Sequence, residues 1–190
     1  MRSICVFCGS NAGASTAHAA VTRALARAIA KRGLRLVYGG GSIGLMGVLA
    51  DEALAAGGRV IGVTPRRLVE KELVRSNLSE LHVVDSMQER KALMADLSDG
   101  FVALPGGFGT LDELFEMLTW TQLGLHQKPC ALLDVESFYE QLIAFLDHAV
   151  EQRFVTNAHR AMLIVERDPD VILDRLAVAR PAETSKWMDR

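Results

Sequence analysis

Short apolar runs that break off into glycine, proline or polar residues alternate along the whole chain with longer segments of helical period, and few folds accept that pattern. Strands are expected at Ser3–Cys8, Leu34–Tyr38, Arg59–Thr64, Leu81–Val84, Phe101–Leu104, Pro129–Leu133 and Met162–Val165. Helices are expected at Thr16–Arg32, Leu45–Ala56, Met87–Leu97, Leu111–Leu125, Phe138–Gln152 and Val171–Leu176. Strands this short, separated by helices, are joined by crossovers, so the expected class is α/β: a doubly wound parallel sheet with helices on both faces. A chain of 190 residues, 49% hydrophobic, fits that sheet in one domain, 1–180, followed by a polar tail, 181–190, expected to be mobile.

Charge and composition exclude several functions. The formal net charge is -2, so no global basic field would recruit nucleic acid or an anionic membrane. The N-terminal apolar run is too short for a signal peptide, and no run reaches the ~18 residues of a membrane span, so a soluble, cytoplasmic protein is expected. The three cysteines, Cys5, Cys8 and Cys130, do not make a disulfide framework. Cys5 and Cys8 have metal spacing, but three residues apart on a strand their sulfurs point to opposite faces, which predicts buried structural thiols. His18, His82, His126, His148 and His159 show no ligand spacing; surface or interface roles are expected, and no metal site.

Three expected strands run into glycine at their carboxyl ends, in "CGSNAGAST", "YGGGSIGLMG" and "LPGGFGTLDE". In doubly wound sheets ligands gather at these ends. Glycine lets an oxyanion approach backbone N–H groups, and the next helix adds its unpaired N–H groups and positive dipole end. A phosphorylated ligand is therefore expected, with Gly9, Ser10, Gly40 and Gly41 as further loop contacts. Gly39, Gly41 and Gly44 match G-x-G-x-x-G, yet they follow the second strand, and no acid about 20 residues on could hold a ribose, which argues against NAD. No Gly-Lys-Ser/Thr is present, so an ATP-hydrolysing P-loop is not expected either.

The helix expected after "PGGFGT" poses the chemical question. Leu111, Leu114, Phe115, Leu118 and Leu125 form an apolar stripe, and Asp112, Glu113 and Glu116 lie away from it. Acids in a first turn suit the helix dipole, which is one reading of them. The face around Glu113 continues as Met117, Trp120 and Leu123, however, so it is expected to be covered by a partner subunit, making Glu113 a partly desolvated carboxylate. In "DSMQERKALMADL", Arg90 falls within the stripe Met87, Leu93, Met94 and Leu97. It serves either as a packing ion pair or as a ligand-facing cation in the same cleft as Glu113.

These residues carry a resemblance. "PGGFGTLDE" resembles the PGGxGTxxE signature of the "Lonely guy" family, the cytokinin riboside 5′-monophosphate phosphoribohydrolases. "GGGSIGLMG" and "MQERKALM" resemble that family's other blocks in the same order, over roughly Ile4 to Val165. The resemblance implies a Rossmann-like fold, a homodimer or higher homo-oligomer with its site near the subunit seam, and no cofactor. It implies hydrolysis of the N-glycosidic bond of N6-modified adenosine 5′-monophosphates, and of AMP, to free base and ribose 5-phosphate. It places catalytic roles on Glu113 and Arg90, and substrate binding on Glu72, Lys91, Gly106, Gly107, Phe108, Gly109, Thr110, Leu111 and Asp112. Two alternatives stand beside it: a non-enzymatic carrier of a phosphorylated cofactor, as in the molybdenum-cofactor carriers that resemble this fold, and an AMP nucleosidase without cytokinin preference.

Overall fold

The computed structural model describes residues 1–69, 75 and 77–180. Glu72 and the tail 181–190 lie outside the described residues. The strands are β1 (Ser3–Phe7), β2 (Arg35–Tyr38), β3 (Val60–Pro65), β4 (Glu80–Val84), β5 (Phe101–Ala103), β6 (Cys130–Leu133) and β7 (Leu163–Glu166). The helices are α1 (Thr16–Lys31), α2 (Gly44–Ala55), α3 (Arg66–Val69), α4 (Met87–Asp96), α5 (Phe108–Gln122), α6 (Glu140–Glu151), α7 (Asn157–Arg160) and α8 (Pro169–Val178). All seven strands pair in parallel in the order β4-β3-β2-β1-β5-β6-β7. The doubly wound α/β architecture expected from the alternation is the one observed. The short helices α3 and α7 were not expected.

The sheet carries a core on each face. On one, Ile4, Val6 and Leu36 meet Leu25 and Ile29 of α1, Leu45 and Leu49 of α2, and Ile172 and Leu173 of α8. On the other, Cys5, Phe7 and Val37 meet Met94 of α4, Leu114 and Met117 of α5, and Tyr139, with α6 packed alongside. Cys5 and Cys8 indeed point to opposite faces, and all three thiols are free and buried. Burial raises each thiol, Cys130 to about 12, so they remain protonated filler.

The largest departure from the sequence reading concerns α5. Phe108 opens it, so all three residues of "FGT" are helix rather than loop, and Glu113 sits in its second turn. The buried residues are Thr110, Glu113, Leu114, Met117 and Thr121, whereas Leu125 lies past the helix end and is exposed. Glu113 and Met117 thus face the chain's own core, and no partner subunit is needed to bury them. A similar rotation affects α4, where Arg90, Met94 and Ala95 are buried and Met87 is exposed.

Chain direction reverses between β1 and β5: from β1 the chain winds outward to β4, then returns to add β5 on the other side. The loops leaving these two strands diverge and open a crevice at the sheet's carboxyl edge. Backbone contact holds the crevice together. The Gly9 N–H donates to the Pro105 carbonyl at 3.1 Å, and Leu45 N–H donates to the Gly9 carbonyl at 3.0 Å. Gly44 has φ +60°, and a Cβ there would lie 2.2 Å from the Ser10 carbonyl carbon. Gly57 also has positive φ, +76°, but faces open space. Gly57→Ala is expected to cost about 1 kcal/mol, the left-handed backbone penalty alone, and Gly44→Ala at least about 2–3 kcal/mol, because overpacking adds to it. Chemical denaturation compares them; equal losses would mean that the first two glycine loops are not in contact.

Candidate active site

The capping of α4 fixes where Arg90 stands. Ser86 accepts from the Glu89 N–H at 3.1 Å, and the Glu89 carboxylate accepts from the Asp85 N–H at 3.0 Å, which sets the helix start one turn ahead of Arg90. Arg90 then reaches inward, 7% exposed. Its Nε donates to the Val63 carbonyl in the second half of β3, 3.0 Å away, and its Nη1 donates to Glu113 Oε1 at 2.9 Å. Its remaining nitrogen lies over Gly39, where a Cβ would come within 1.7 Å of Nη2. The first glycine of "GGG" therefore makes room for a guanidinium, a role that its place in G-x-G-x-x-G did not indicate.

Glu113 is also 7% exposed. Burial pushes its carboxyl above its ordinary value, and Arg90 pulls the other way without cancelling that rise. On the outer side of the same two helices, Lys91 donates to Asp112 and contacts Glu116, both at 3.0 Å. Partial burial lowers the Lys91 ammonium, but these carboxylates outweigh it and the net shift is upward. Lys91 and its two acids form a second clamp between α4 and α5.

Above Arg90 and Glu113 lies a cavity of about 380 Å³. Its walls are the loop after β1, from Cys8 to Gly13, and the segment after β5, from Pro105 to Thr110. Leu45 and Met46 of α2, His18 of α1, and Phe138 complete them. At the β5 wall α5 begins with Gly107 as its N-cap and no side chain bonded to its first N–H groups. By contrast α1, α4, α7 and α8 are capped by Ser15, Ser86, Thr156 and Asp168. A helix start left open at a cavity offers its N–H groups and positive dipole end to an anion. Gly106 keeps the wall thin: a Cβ there would sit 2.1 Å from Thr110 Oγ1.

The expected site residues divide accordingly. Glu113, Arg90, Gly9, Ser10, Gly106, Gly107, Phe108, Gly109 and Thr110 all line the cavity. Lys91, Leu111 and Asp112 do not: Lys91 and Asp112 pair on the outer side of the two helices, and Leu111 packs against the core. Gly40 and Gly41 also lie outside the cavity: the Gly40 carbonyl accepts from Arg75 N–H and the Gly41 carbonyl from the Tyr38 hydroxyl. His18 was expected at the surface or an interface and is instead buried in the cavity wall, a placement for which the sequence held no signal. No lysine among the described residues lines the cavity. Among the described residues, no three His, Cys, Asp or Glu side chains gather as a metal-ligand set, and no helix is long and apolar enough to cross a membrane.

Comparison with known proteins meets this geometry. Residues 46–176 match the protein family described as "possible lysine decarboxylase". The cytokinin riboside 5′-monophosphate phosphoribohydrolase of Rhodococcoides fascians is 49% identical over 168 residues, covering 88% of this chain and 85% of that one. A protein of the same name from Arabidopsis thaliana is 42% identical, covering 97% and 83%. Among solved structures, the molybdenum cofactor binding protein of Rippkaea orientalis superposes with a TM-score of 0.71 at 21% identity, covering 93% and 96%. At that identity the likeness is one of fold.

The buried pair makes stability depend on pH when its cation is removed. In Arg90→Met the Glu113 carboxyl rises further above its unfolded value, so the native state binds more protons than the unfolded state between those two values, and stability falls as pH rises through that window. The variant is expected to lose up to about 3–5 kcal/mol near pH 8 and less near pH 5, with Glu113→Gln added in cis restoring part of the loss. Urea denaturation at both pH values checks this; a pH-independent loss would mean that Glu113 is not the group left unpaired.

Proposed function

The chain belongs to the family of cytokinin riboside 5′-monophosphate phosphoribohydrolases, and from that premise we propose how its cavity hydrolyses the N-glycosidic bond of a nucleoside 5′-monophosphate. It is an enzyme that releases the base of a cytokinin riboside monophosphate and leaves ribose 5-phosphate. The observation that carries the mechanism is the position of Glu113, a desolvated carboxylate held by Arg90 one turn inside the open start of α5.

As the bond between C1′ and the base nitrogen breaks, the sugar approaches an oxocarbenium ion and positive charge grows at C1′. The N–H groups of the α5 start, with Gly106, Gly107, Phe108, Gly109 and Thr110 around them, hold the 5′-phosphate; Gly9 and Ser10 close the opposite wall. Glu113 then faces the ribose, where a fixed negative charge in a water-poor site stabilises the transition state more than the ground state. Water adds to C1′ and loses one proton to Glu113 or to solvent, while the departing base nitrogen takes up one proton from solvent, so that the exchange balances. Arg90 spends one donor on the Val63 carbonyl and one on Glu113, which supports a positioning role for it. Lys91, Asp112 and Glu116 support the relative placement of α4 and α5.

Among the described residues no lysine lines the cavity, so nothing described there supports the Schiff-base chemistry that the description "possible lysine decarboxylase" suggests. A carrier of a phosphorylated cofactor would have no use for a buried Arg90–Glu113 pair beside its anion site. Plain AMP is proposed as a second substrate, because the chemistry at Glu113 needs only the ribose and its phosphate. The protein is further proposed to act in the cytoplasm as a homodimer or larger homo-oligomer without nucleic acid. Apolar surface at the ends of α4 and α5 supports assembly: Met87, Phe108, Leu123 and Leu125 are all exposed, Phe108 at 94%.

Incubation with AMP and with isopentenyladenosine monophosphate, followed by chromatography for free base, tests the reading. Release of base from AMP alone would favour a plain nucleosidase, and binding without release would favour a carrier. Glu113→Gln is expected to lower kcat by about 10²-fold or more with nucleotide binding retained. The acid limb of the kcat–pH profile is expected above the ordinary glutamate value of ~4.3, since burial favours the protonated form and the ionised form is the active one. A limb at or below that value would remove Glu113 from the role.

A further inference from the structure

His18 occupies the first turn of α1 and is only 9% exposed, yet its ring lines the cavity. Two contacts fix the ring. Phe138 meets it edge-on, with centroids 5.9 Å apart and planes at 79°. Gly13, at φ +77°, lies so close that a Cβ there would stand 2.4 Å from Nδ1. Nδ1 itself is buried without a hydrogen-bond partner.

That burial selects the tautomer. The Gly13 hydrogen that replaces a Cβ points at Nδ1, and a C–H meets a lone pair better than it meets an N–H. A buried N–H without an acceptor is also rarer in proteins than an unfilled acceptor. Nδ1 is therefore the bare nitrogen, and the ring proton resides on Nε2. The mechanism gives this donor no task.

Sheet order shows which part of a ligand it would meet. Arg90 is anchored over the ends of β2 and β3, through Gly39 and Val63. The loops after β1 and β5 occupy the middle of the cavity, joined by the Gly9 to Pro105 bond. His18, under Gly13 and against Phe138, lies toward β6, on the side opposite Arg90. With the sugar at Glu113 and the phosphate at the α5 start, the far side of the phosphate comes to His18. We propose that His18 is a substrate-binding residue whose Nε2–H donates to the 5′-phosphate, and that it thereby sets the preference for nucleotides over nucleosides. This assignment rests on the hydrolase reading for the ligand's orientation, but not for its ability to bind phosphate.

Kinetics and calorimetry on the full chain test it, with inorganic phosphate as the probe. His18→Phe keeps the aromatic packing and removes the donor. It is expected to raise KM for AMP and Kd for inorganic phosphate by about tenfold, the scale of a hydrogen bond lost to a charged group, with kcat within about threefold of wild type. His18→Gln, whose amide can donate again, is expected to recover most of both losses. A His18→Phe protein with unchanged KM and phosphate Kd but a lower Tm would show a packing residue and overturn the proposal, as would failure of wild type to bind phosphate. Wild type that binds phosphate but releases no base would overturn the hydrolase reading instead, and the phosphate Kd of the two variants would still decide the role of His18.

Discussion

A carboxylate and a guanidinium held out of water at the rim of a sheet are the constraint around which the site is organised. A buried ion pair adds little to stability, because desolvating two charges offsets most of their attraction. Its retention here therefore calls for a reason beyond folding. Each element around the pair keeps it aligned: the Ser86–Glu89 cap times α4, β3 supplies the Val63 carbonyl, and Gly39 vacates the space beside Nη2. Lys91, Asp112 and Glu116 tie the same two helices together on their outer side. Alignment is the common outcome, and alignment is what electrostatic catalysis requires.

Much of this architecture could be read from residue order. Alternation of short apolar runs with helical segments placed all seven strands with ends within a residue or two; the inner strands are buried on both faces and read as continuous apolar runs, while the edge strand β4 is half exposed. Arg90 was legible as a charge within an apolar stripe, and Glu113 as a carboxylate on a second face continued by Met117, Trp120 and Leu123. What failed was the rotation of α5. Helical period put Leu111, Leu114, Phe115, Leu118 and Leu125 on the sheet side and Glu113 off it, and so a second subunit was invoked to cover the face of Met117, Trp120 and Leu123. The structure satisfies the charge internally through Arg90, whose position depends on a contact 23 residues away in sequence that no local pattern encodes. The start of α5 was missed for a different reason. Gly107 and Gly109 read as loop residues, and only tertiary contact shows that Gly107 is the cap while Gly109 already lies in the helix.

Glycine in this chain is accordingly not one signal. Gly39 makes room for a side chain, Gly44 lets two loops pass, Gly13 accommodates an imidazole, and only Gly106, Gly107 and Gly109 form the wall where an anion would meet backbone N–H groups. A pattern such as G-x-G-x-x-G records where small residues fall, not which neighbour requires them. The second glycine loop was therefore overcounted as a phosphate cradle, while its real contributions, the space beside Arg90 and the side chains of Leu45 and Met46 in the cavity wall, carried no motif.

The placement of opposite charges within one small cavity resolves what first looked contradictory in "PGGFGTLDE". An anion cradle and a cluster of acids would repel one ligand if they addressed the same atom. α5 separates them along its own axis: the open N–H groups occupy its first turn, Glu113 its second turn on the inner side, and Asp112 and Glu116 the outer side with Lys91. One helical turn is about 5.4 Å, close to the distance that separates a nucleotide's phosphate from its anomeric carbon, so a single rigid element can present a positive end to one and a negative side chain to the other. Because both features ride on the same helix, their spacing is set by backbone geometry rather than by the docking of separate loops.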